Sequence, residues 1–193
     1  MSLLKPKELL GSFKLASSNW GFSWKGLISN HKGEWWLIGQ LALLVAHISP
    51  AWPSTMSHSL IWPSSISTIG ATTLALGFIL AVIALMSLGT SLSPLPEPKQ
   101  GGNLVTYGSY SYCRHPLYQA LLISSIGLAF YLGSLLHILL FIGLCILLKG
   151  KALREEKKLL IVYKEYRPYM TRTPAIIKGL PFLDWRNHSS TTS

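Results

Sequence analysis

The sequence predicts an all-α, polytopic membrane protein with about four transmembrane helices and a C-terminal cytosolic amphipathic helix. Only 12% of its 193 residues are charged, whereas a soluble domain usually carries about 25%. Asp, Glu, Lys and Arg are absent from residues 35–96 and again from residues 115–148. Since a spanning helix needs about 20 apolar residues, the first run can hold two spans and a loop, and the second can hold two short spans joined by a tight turn. The alternative, a soluble helical domain, is difficult to reconcile with such long uncharged runs.

Aromatic residues, prolines and glycines mark the ends of the predicted helices. Trp35 begins the first span, and Gly133 with Ser134 forms a turn between the third and fourth. Pro116 is well placed as a first helical residue, because its missing N–H costs nothing there. The predicted spans are residues 35–47, 66–92, 116–132 and 135–148, and the amphipathic helix covers residues 149–166.

The distribution of basic residues predicts how the chain is oriented in the membrane. Five of the 17 Lys and Arg residues precede the first span, two lie between the second and third spans, and ten follow from Lys149 onward. Cytoplasmic loops carry an excess of Lys and Arg. Both termini and the loop of residues 93–114 are therefore expected on the cytoplasmic side, in agreement with an even number of spans.

The net charge of +10 indicates contact with a membrane surface rather than with nucleic acid, because the basic residues flank apolar spans. No Cys/His spacing suggests a metal site. The expected organisation is a basic interfacial segment (1–33), two spans (34–92), a region that carries the chemistry (93–181) and a flexible tail (182–193). Oligomeric state is not predicted.

Two polar segments, residues 104–118 and 151–156, lie at the two ends of the predicted hairpin of spans three and four. A hairpin returns to the side from which it starts, so both segments are expected to meet. His115 and Tyr118 share one helix face. Glu155 and Glu156 point about 100° apart and should differ in role. In the simpler alternative, Arg114 reaches lipid headgroups and the glutamates are solvated.

The same two segments carry recognisable motifs. The first reads Leu104-Val105-Thr106-x-Gly108-x-Tyr110-x3-Arg114-His115-Pro116-x-Tyr118, and the second reads Glu155-Glu156-x2-Leu159, then Tyr166-x2-Tyr169 and a proline-containing tail. With Leu95-Pro96-x-Pro98 upstream, these runs resemble the signatures of the isoprenylcysteine carboxyl methyltransferase and phospholipid methyltransferase superfamily. The resemblance covers about residues 87–181.

This resemblance implies an integral-membrane, S-adenosylmethionine-dependent methyltransferase that acts on a membrane lipid, a lipid-like molecule or a prenylated acceptor. By the match, the candidates for cofactor binding are Asn103, Leu104, Val105, Tyr110, His115, Pro116, Leu117, Tyr118 and Glu155. The candidates for catalysis are Lys151, Arg154 and Glu156. Lys151 or Arg154 could orient a carboxylate acceptor, whereas an amine acceptor would need a general base such as Glu156 or His115.

One departure from the family pattern bears on the acceptor. Isoprenylcysteine enzymes are expected to carry an arginine one turn before the first glutamate, and here that position is Lys151. An ammonium lacks the two-pronged fit of a guanidinium to a carboxylate. Two other functions stay open from the sequence: an NADPH-dependent membrane reductase of the sterol-reductase type, and a non-enzymatic membrane scaffold.

Overall fold

The computed structural model describes residues 30, 33–53, 63–89, 95 and 104–186. The described part of the chain is helical and contains no β-strand. Its helices are α1 (Glu34–Ala46), α2 (Ser64–Leu88), α3 (Pro116–Leu132), α4 (Leu135–Val162) and α5 (Tyr166–Arg172), with a 3₁₀ turn at Gly108–Ser111 before α3. The all-α prediction is confirmed for these residues. The expected segment 1–33 and Pro96-x-Pro98 lie almost entirely outside them.

Helix α3 begins and ends where the sequence predicts. Pro116 occupies its first turn, and Gly133 follows it with a left-handed backbone (φ 59°, ψ 39°) that accepts glycine without strain. The side chain of Ser134 then caps α4 by accepting a hydrogen bond from the backbone N–H of His137. This turn makes α3 and α4 a helical hairpin.

Helix α2 packs antiparallel against α3 through small residues. A Cβ on Gly70 would overlap the backbone of Phe130 and Tyr131, and a Cβ on Gly127 would lie 2.5 Å from the backbone nitrogen of Leu74. The two backbones therefore approach closely, as small residues allow at helix interfaces in membranes. This contact holds the C-terminal end of α2 near the start of α3.

Helix α1 packs antiparallel against α4 along its length. The ring of Trp36 lies against Gly150, and a Cβ on Gly39 would approach Leu147 Cδ1 to 2.7 Å. At the other end, Nε2 of His137 lies 3.3 Å from the carbonyl oxygen of His47. The start of α1, the end of α2, the start of α3 and the later turns of α4 consequently gather at one end of the bundle.

A hydrogen-bonded cluster fixes the opposite end of the bundle. Nε2 of His47 lies 2.6 Å from the hydroxyl of Ser125, and Nδ1 of His137 lies 2.8 Å from the hydroxyl of Ser134. The backbone N–H of Trp52 also donates to the Ser134 hydroxyl, at 3.0 Å. Since buried polar groups need partners, this cluster stabilises the join between α1 and the α3–α4 turn.

The separate amphipathic helix expected from residue 149 is not a separate element. Helix α4 continues without a break from Leu135 to Val162, because no proline interrupts its hydrogen bonds there and Gly150 is covered by Trp36. The chain turns at Tyr163, whose backbone is extended, and the short helix α5 follows.

The C-terminal boundary expected at residue 181 is also wrong for the residues described beyond it. Leu183 and Trp185 are buried, and they belong to the same apolar core as Leu122, Leu144 and Ile176. The prediction of a flexible tail failed because Trp185 finds its partners in distant parts of the chain. The ordered region thus extends at least to residue 186.

Two helices in the described residues, α2 and α4, are long and apolar enough to cross a membrane, whereas α1 and α3 are shorter apolar helices. Only 17% of the most apolar stretch of α2 is buried within the protein. Its surface exposes large side chains, among them Ile69, Phe78 and Met86. A helix at the core of a soluble domain would instead be covered, so this surface suits a lipid environment.

Candidate active site

The α3–α4 hairpin brings the two polar segments into direct contact. The hydroxyl of Tyr118 donates a hydrogen bond to Oε2 of Glu155 at 2.9 Å. The imidazole of His115 stacks on the Tyr118 ring, with ring centroids 5.2 Å apart and planes within 2°. Nδ1 of His115 lies 3.8 Å from the same carboxylate oxygen. The Glu155 side chain remains 28% exposed, which leaves it able to accept further hydrogen bonds.

Glu156 occupies a different environment from its neighbour, as their positions on the helix predict. Nε of Arg114 donates to Glu156 Oε1 at 2.7 Å, and the Arg114 side chain is fully buried. Nε2 of His115 lies 2.9 Å from the same oxygen. The indole N–H of Trp185 donates to Oε2 at 2.7 Å. Arg114 therefore neutralises this buried carboxylate, and all three partners hold it in place by hydrogen bonds, as a buried charge requires.

Residues 170–176 anchor the start of α3. The backbone N–H groups of Arg114 and His115 donate to the carbonyl oxygens of Pro174 and Ala175, at 2.9 and 3.0 Å. Nη1 of Arg114 donates to the carbonyl oxygens of Met170 and Thr173, at 2.7 and 2.6 Å. Arg114 is thus a structural centre of the site, not the headgroup-seeking side chain of the simpler alternative.

Burial shapes the chemistry of the polar loop before α3. The buried thiol of Cys113 has its pKa raised to about 11, because the thiolate would lose its hydration. Burial likewise raises the pKa of the Tyr169 hydroxyl above its usual range, and this hydroxyl donates to the carbonyl oxygen of Tyr110 at 2.5 Å. These groups are neutral at physiological pH.

Lys151 and Arg154 have different surroundings. The ammonium of Lys151 is buried, donates to Gln40 Oε1 at 2.6 Å and lies 5.4 Å from the centre of the Tyr118 ring. Arg154 instead lines a surface groove with Trp36 and residues of the later turns of α4. Of these two candidates, Lys151 is the one beside the Tyr118–Glu155 contact.

The other sequence candidates for cofactor binding are buried or half-buried, except for one. Val105 and Pro116 are buried, while Leu104, Tyr110 and Leu117 are half-buried. Asn103 lies outside the described residues.

Two partners in this region were missed from the sequence. Gln40 was identifiable as a polar residue within an apolar span, a position that often carries function. Trp185 had no comparable signal, because its indole N–H meets Glu156 only through tertiary folding.

Several buried polar atoms near the site have no hydrogen-bond partner among the described residues. They are Nη2 of Arg114, the hydroxyl of Tyr166 and the hydroxyl of Ser109. Leaving a buried donor unpaired is costly. The Arg114 donor belongs to the side chain that holds Glu156, and an unpaired buried donor is a feature expected near a ligand-binding site.

Comparison with known families identifies the protein's class. The family model described as phospholipid methyltransferase matches residues 66–166, more than half of the chain. The chain belongs to the phospholipid methyltransferase family. The matched region runs from the start of α2 to the first residue of α5, and it contains His115, Tyr118, Glu155 and Glu156.

Two curated proteins are similar to this phospholipid methyltransferase family member. Protein-S-isoprenylcysteine O-methyltransferase of Schizosaccharomyces pombe is 26% identical over 174 residues, which cover 82% of this chain and 73% of that protein. The cobalt-zinc-cadmium resistance protein CzcN of Cupriavidus metallidurans is 32% identical over 83 residues, or 42% of this chain. The chain spans only 38% of CzcN.

These findings establish a membrane methyltransferase and confirm the resemblance seen in the motifs. They decide between the functions left open by the sequence, because neither the reductase nor the scaffold accounts for a methyltransferase family match.

Proposed function

We propose that this membrane methyltransferase transfers a methyl group from S-adenosylmethionine to a lipid-like or prenylated acceptor. The observation that carries the proposal is the 2.9 Å hydrogen bond between Tyr118 and Glu155. It joins the two motif-bearing segments, which are 37 positions apart in the sequence, at one end of the helical bundle. A shared binding site at this end would explain why both motifs occur together.

The residues present fit the chemistry of the methyl donor. S-adenosylmethionine, when bound, supplies an activated methyl group on a sulfonium centre. Glu155 can accept hydrogen bonds from an ammonium or from ribose hydroxyls, and the unpartnered Nη2 of Arg114 can donate to a carboxylate. The stacked rings of His115 and Tyr118 offer a flat surface for a purine.

We assign the remaining cofactor contacts to the other residues that the first motif implies: Asn103, Leu104, Val105, Tyr110, Pro116 and Leu117. Their combination of apolar and polar groups would hold the donor and exclude water from the reacting centre. Glu156 is assigned to positioning, because its carboxylate oxygens are engaged by Arg114, His115 and Trp185.

The proposed membrane setting has four spans with both termini cytoplasmic, and the pocket at the cytoplasmic end. The start of α1 and the end of α4 both lie at the pocket end of the bundle, because α1 is antiparallel to α4 and α2 is antiparallel to α3. Of the 17 basic residues in the chain, ten follow Leu148, so the later turns of α4 would face the cytosol. We propose residues 93–186 as the catalytic region.

Lys151 favours an acceptor that carries an anionic nucleophile. Its ammonium is buried beside the Tyr118 ring, so it would attract and orient a carboxylate in a medium of low dielectric. The Schizosaccharomyces pombe relative is by its name an O-methyltransferase of S-isoprenylcysteine, an acceptor of this kind. A carboxylate acceptor needs no general base.

Cofactor binding is tested by replacing the exposed carboxylate. Glu155→Gln should weaken the binding of S-adenosylmethionine to the purified protein at least tenfold, because hydrogen bonds to charged groups contribute about 1.5–3 kcal/mol. Glu165→Gln is the matched control, since Glu165 is exposed and lies outside the pocket. Equal binding by wild type and Glu155→Gln would contradict the assignment.

The acceptor is tested with two chemically distinct substrates. Proteoliposomes are given radiolabelled S-adenosylmethionine with either a prenylated cysteine carboxylate or phosphatidylethanolamine. Label that is released by base from the prenylcysteine is a methyl ester and supports a carboxylate acceptor. Label on the amine lipid that resists base would instead indicate N-methylation and contradict the carboxylate assignment. Absence of label in both acceptors and in total membrane lipid would refute the proposed substrate class.

A further inference from the structure

A second polar feature lies on the outer face of the later turns of α4. A groove of about 480 Å³ is lined by Trp36, Gly150, Leu153, Arg154, Lys157 and Lys158. We call it the basic groove, because three of these six residues are cations. It contains neither Glu155 nor Lys151 among its lining residues, so it is distinct from the proposed cofactor pocket.

The helical positions separate the basic groove from the pocket. Successive residues of an α-helix are rotated by about 100°. Residues 150, 153, 154, 157 and 158 therefore centre on one face of α4, whereas Lys151, Glu155 and Glu156 centre about 145° away. The groove and the proposed pocket are thus centred on different sides of α4.

The chemistry of the groove changes along its length. Gly150 and Leu153 form its apolar part, and the Trp36 ring lies against Gly150. Arg154, Lys157 and Lys158 provide the charge one to two turns further along. Tryptophan is enriched at the membrane interface, and a cluster of cations just beyond a span attracts anionic lipid headgroups.

The position of the groove matches the depth of a headgroup. The apolar part of α4 ends at Leu148, and the groove begins two residues later. In the proposed membrane setting, the apolar part of the groove would meet the upper acyl chains and the cations would meet the phosphate. A soluble anion would use the charges but would leave the apolar part uncovered.

We propose that the basic groove binds the phosphate headgroup of an anionic glycerophospholipid, at a site separate from methyl transfer. The proposal rests on the proposed membrane setting, not on the identity of the methyl acceptor. Because apolar residues are followed along the groove by cations, the groove suits a lipid, which has acyl chains and a phosphate, better than a free phosphate. The bound lipid would hold α1 against α4, because Trp36 belongs to the first helix and the cations to the second.

The test uses the full chain in phosphatidylcholine nanodiscs that contain a minor fraction of phosphatidic acid. Retained lipid is counted by native mass spectrometry after detergent extraction, without S-adenosylmethionine. Lys157→Gln/Lys158→Gln should lower the apparent affinity for phosphatidic acid about thirtyfold, since each cation near the surface contributes to headgroup attraction. Thermal unfolding of each variant verifies that it is folded.

Lys164→Gln/Lys178→Gln is the matched control, because both lysines are exposed and neither lines the groove. It removes the same charge and should retain the lipid as wild type does. Equal losses in the two double variants would overturn the proposal in favour of general charge attraction. Tight binding of glycerol phosphate, which lacks acyl chains, would overturn the assignment to a membrane lipid.

Methyl transfer is measured separately, in detergent without anionic lipid. The groove variant should there methylate acceptor at the wild-type rate. If it loses methyl transfer although it is folded, the groove binds the acceptor and the proposal is wrong. Failure of the wild type to methylate any acceptor would contradict the proposed function and leave the lipid-retention result standing.

Discussion

The hydroxyl of Tyr118, in the first turn of α3, donates a 2.9 Å hydrogen bond to the carboxylate of Glu155 in α4. Tyr118 is 8% exposed and also stacks on His115. This contact aligns the carboxylate that we assign to cofactor binding. Its removal should therefore affect ligand binding more than folding.

Tyr118→Phe removes the hydroxyl and keeps the ring. We expect the dissociation constant for S-adenosylmethionine to rise up to about tenfold, because a Glu155 side chain that the hydroxyl no longer holds must be ordered on binding, at a cost of about 0.5–1.5 kcal/mol. Titration calorimetry of the purified protein measures this. Tyr131→Phe, at a half-exposed position, should bind as wild type does. An unchanged dissociation constant in Tyr118→Phe would show that the Glu155 orientation does not matter.

Glu156→Ala leaves Arg114 buried without its carboxylate partner. Breaking a buried ion pair from one side costs about 3–5 kcal/mol, so a lower thermal unfolding temperature is expected. Glu165→Ala, an exposed position, should shift stability by less than about 0.5 kcal/mol. A stable Glu156→Ala protein that has lost only methyl transfer would assign Glu156 to chemistry instead of positioning.

Gly127→Ala tests the close contact between α2 and α3. A Cβ at this position would lie 2.5 Å from the Leu74 backbone nitrogen, so the helices must separate, at a cost of about 1–3 kcal/mol. Gly143→Ala is the control, because its Cβ would meet Leu43 at an ordinary 3.6 Å. Thermal unfolding should distinguish the two, and equal unfolding temperatures would contradict the tight helix contact.

Cys113 should resist thiol reagents. With its pKa at about 11, only about one thiol in a thousand is ionised at pH 8, and the thiolate is the reactive form. The thiolate fraction rises as pH increases toward the pKa, so the labelling rate should rise about tenfold per pH unit. Maleimide labelling in a Cys145→Ala background measures it, with Ser111→Cys as an exposed comparison in the same loop. Fast labelling at neutral pH would contradict the burial of Cys113.

Local signals in the sequence located the elements that build the site. Pro116 and Gly133 fixed the ends of α3, because each acts on the backbone of its own turn. The 100° separation of neighbouring helical residues predicted that Glu155 and Glu156 would differ in environment. The hairpin then brought Tyr118 to Glu155 as expected.

Long-range partners could not be predicted in this way. A helix boundary was expected near Lys149 because the sequence changes there from apolar to charged residues. That change moves the helix from lipid to water, but it does not interrupt the backbone hydrogen bonds. Trp185 was assigned to a tail because its neighbours in sequence are polar, and its bond to Glu156 spans 29 positions. Arg154 was grouped with Lys151 by sequence proximity, but Lys151 contacts Gln40 whereas Arg154 lines the groove beside Trp36.

The unbroken length of α4 sets a condition on the acceptor. Its 28 residues extend about 42 Å, whereas the hydrocarbon core of a bilayer is about 30 Å thick. In the proposed setting, Glu155 lies about 30 Å along α4 from its start, at the boundary between the acyl chains and the headgroups. The reactive atom of an acceptor must therefore lie at headgroup level while its apolar tail stays in the hydrocarbon core. A molecule whose nucleophile lies deep among the acyl chains would not reach the site.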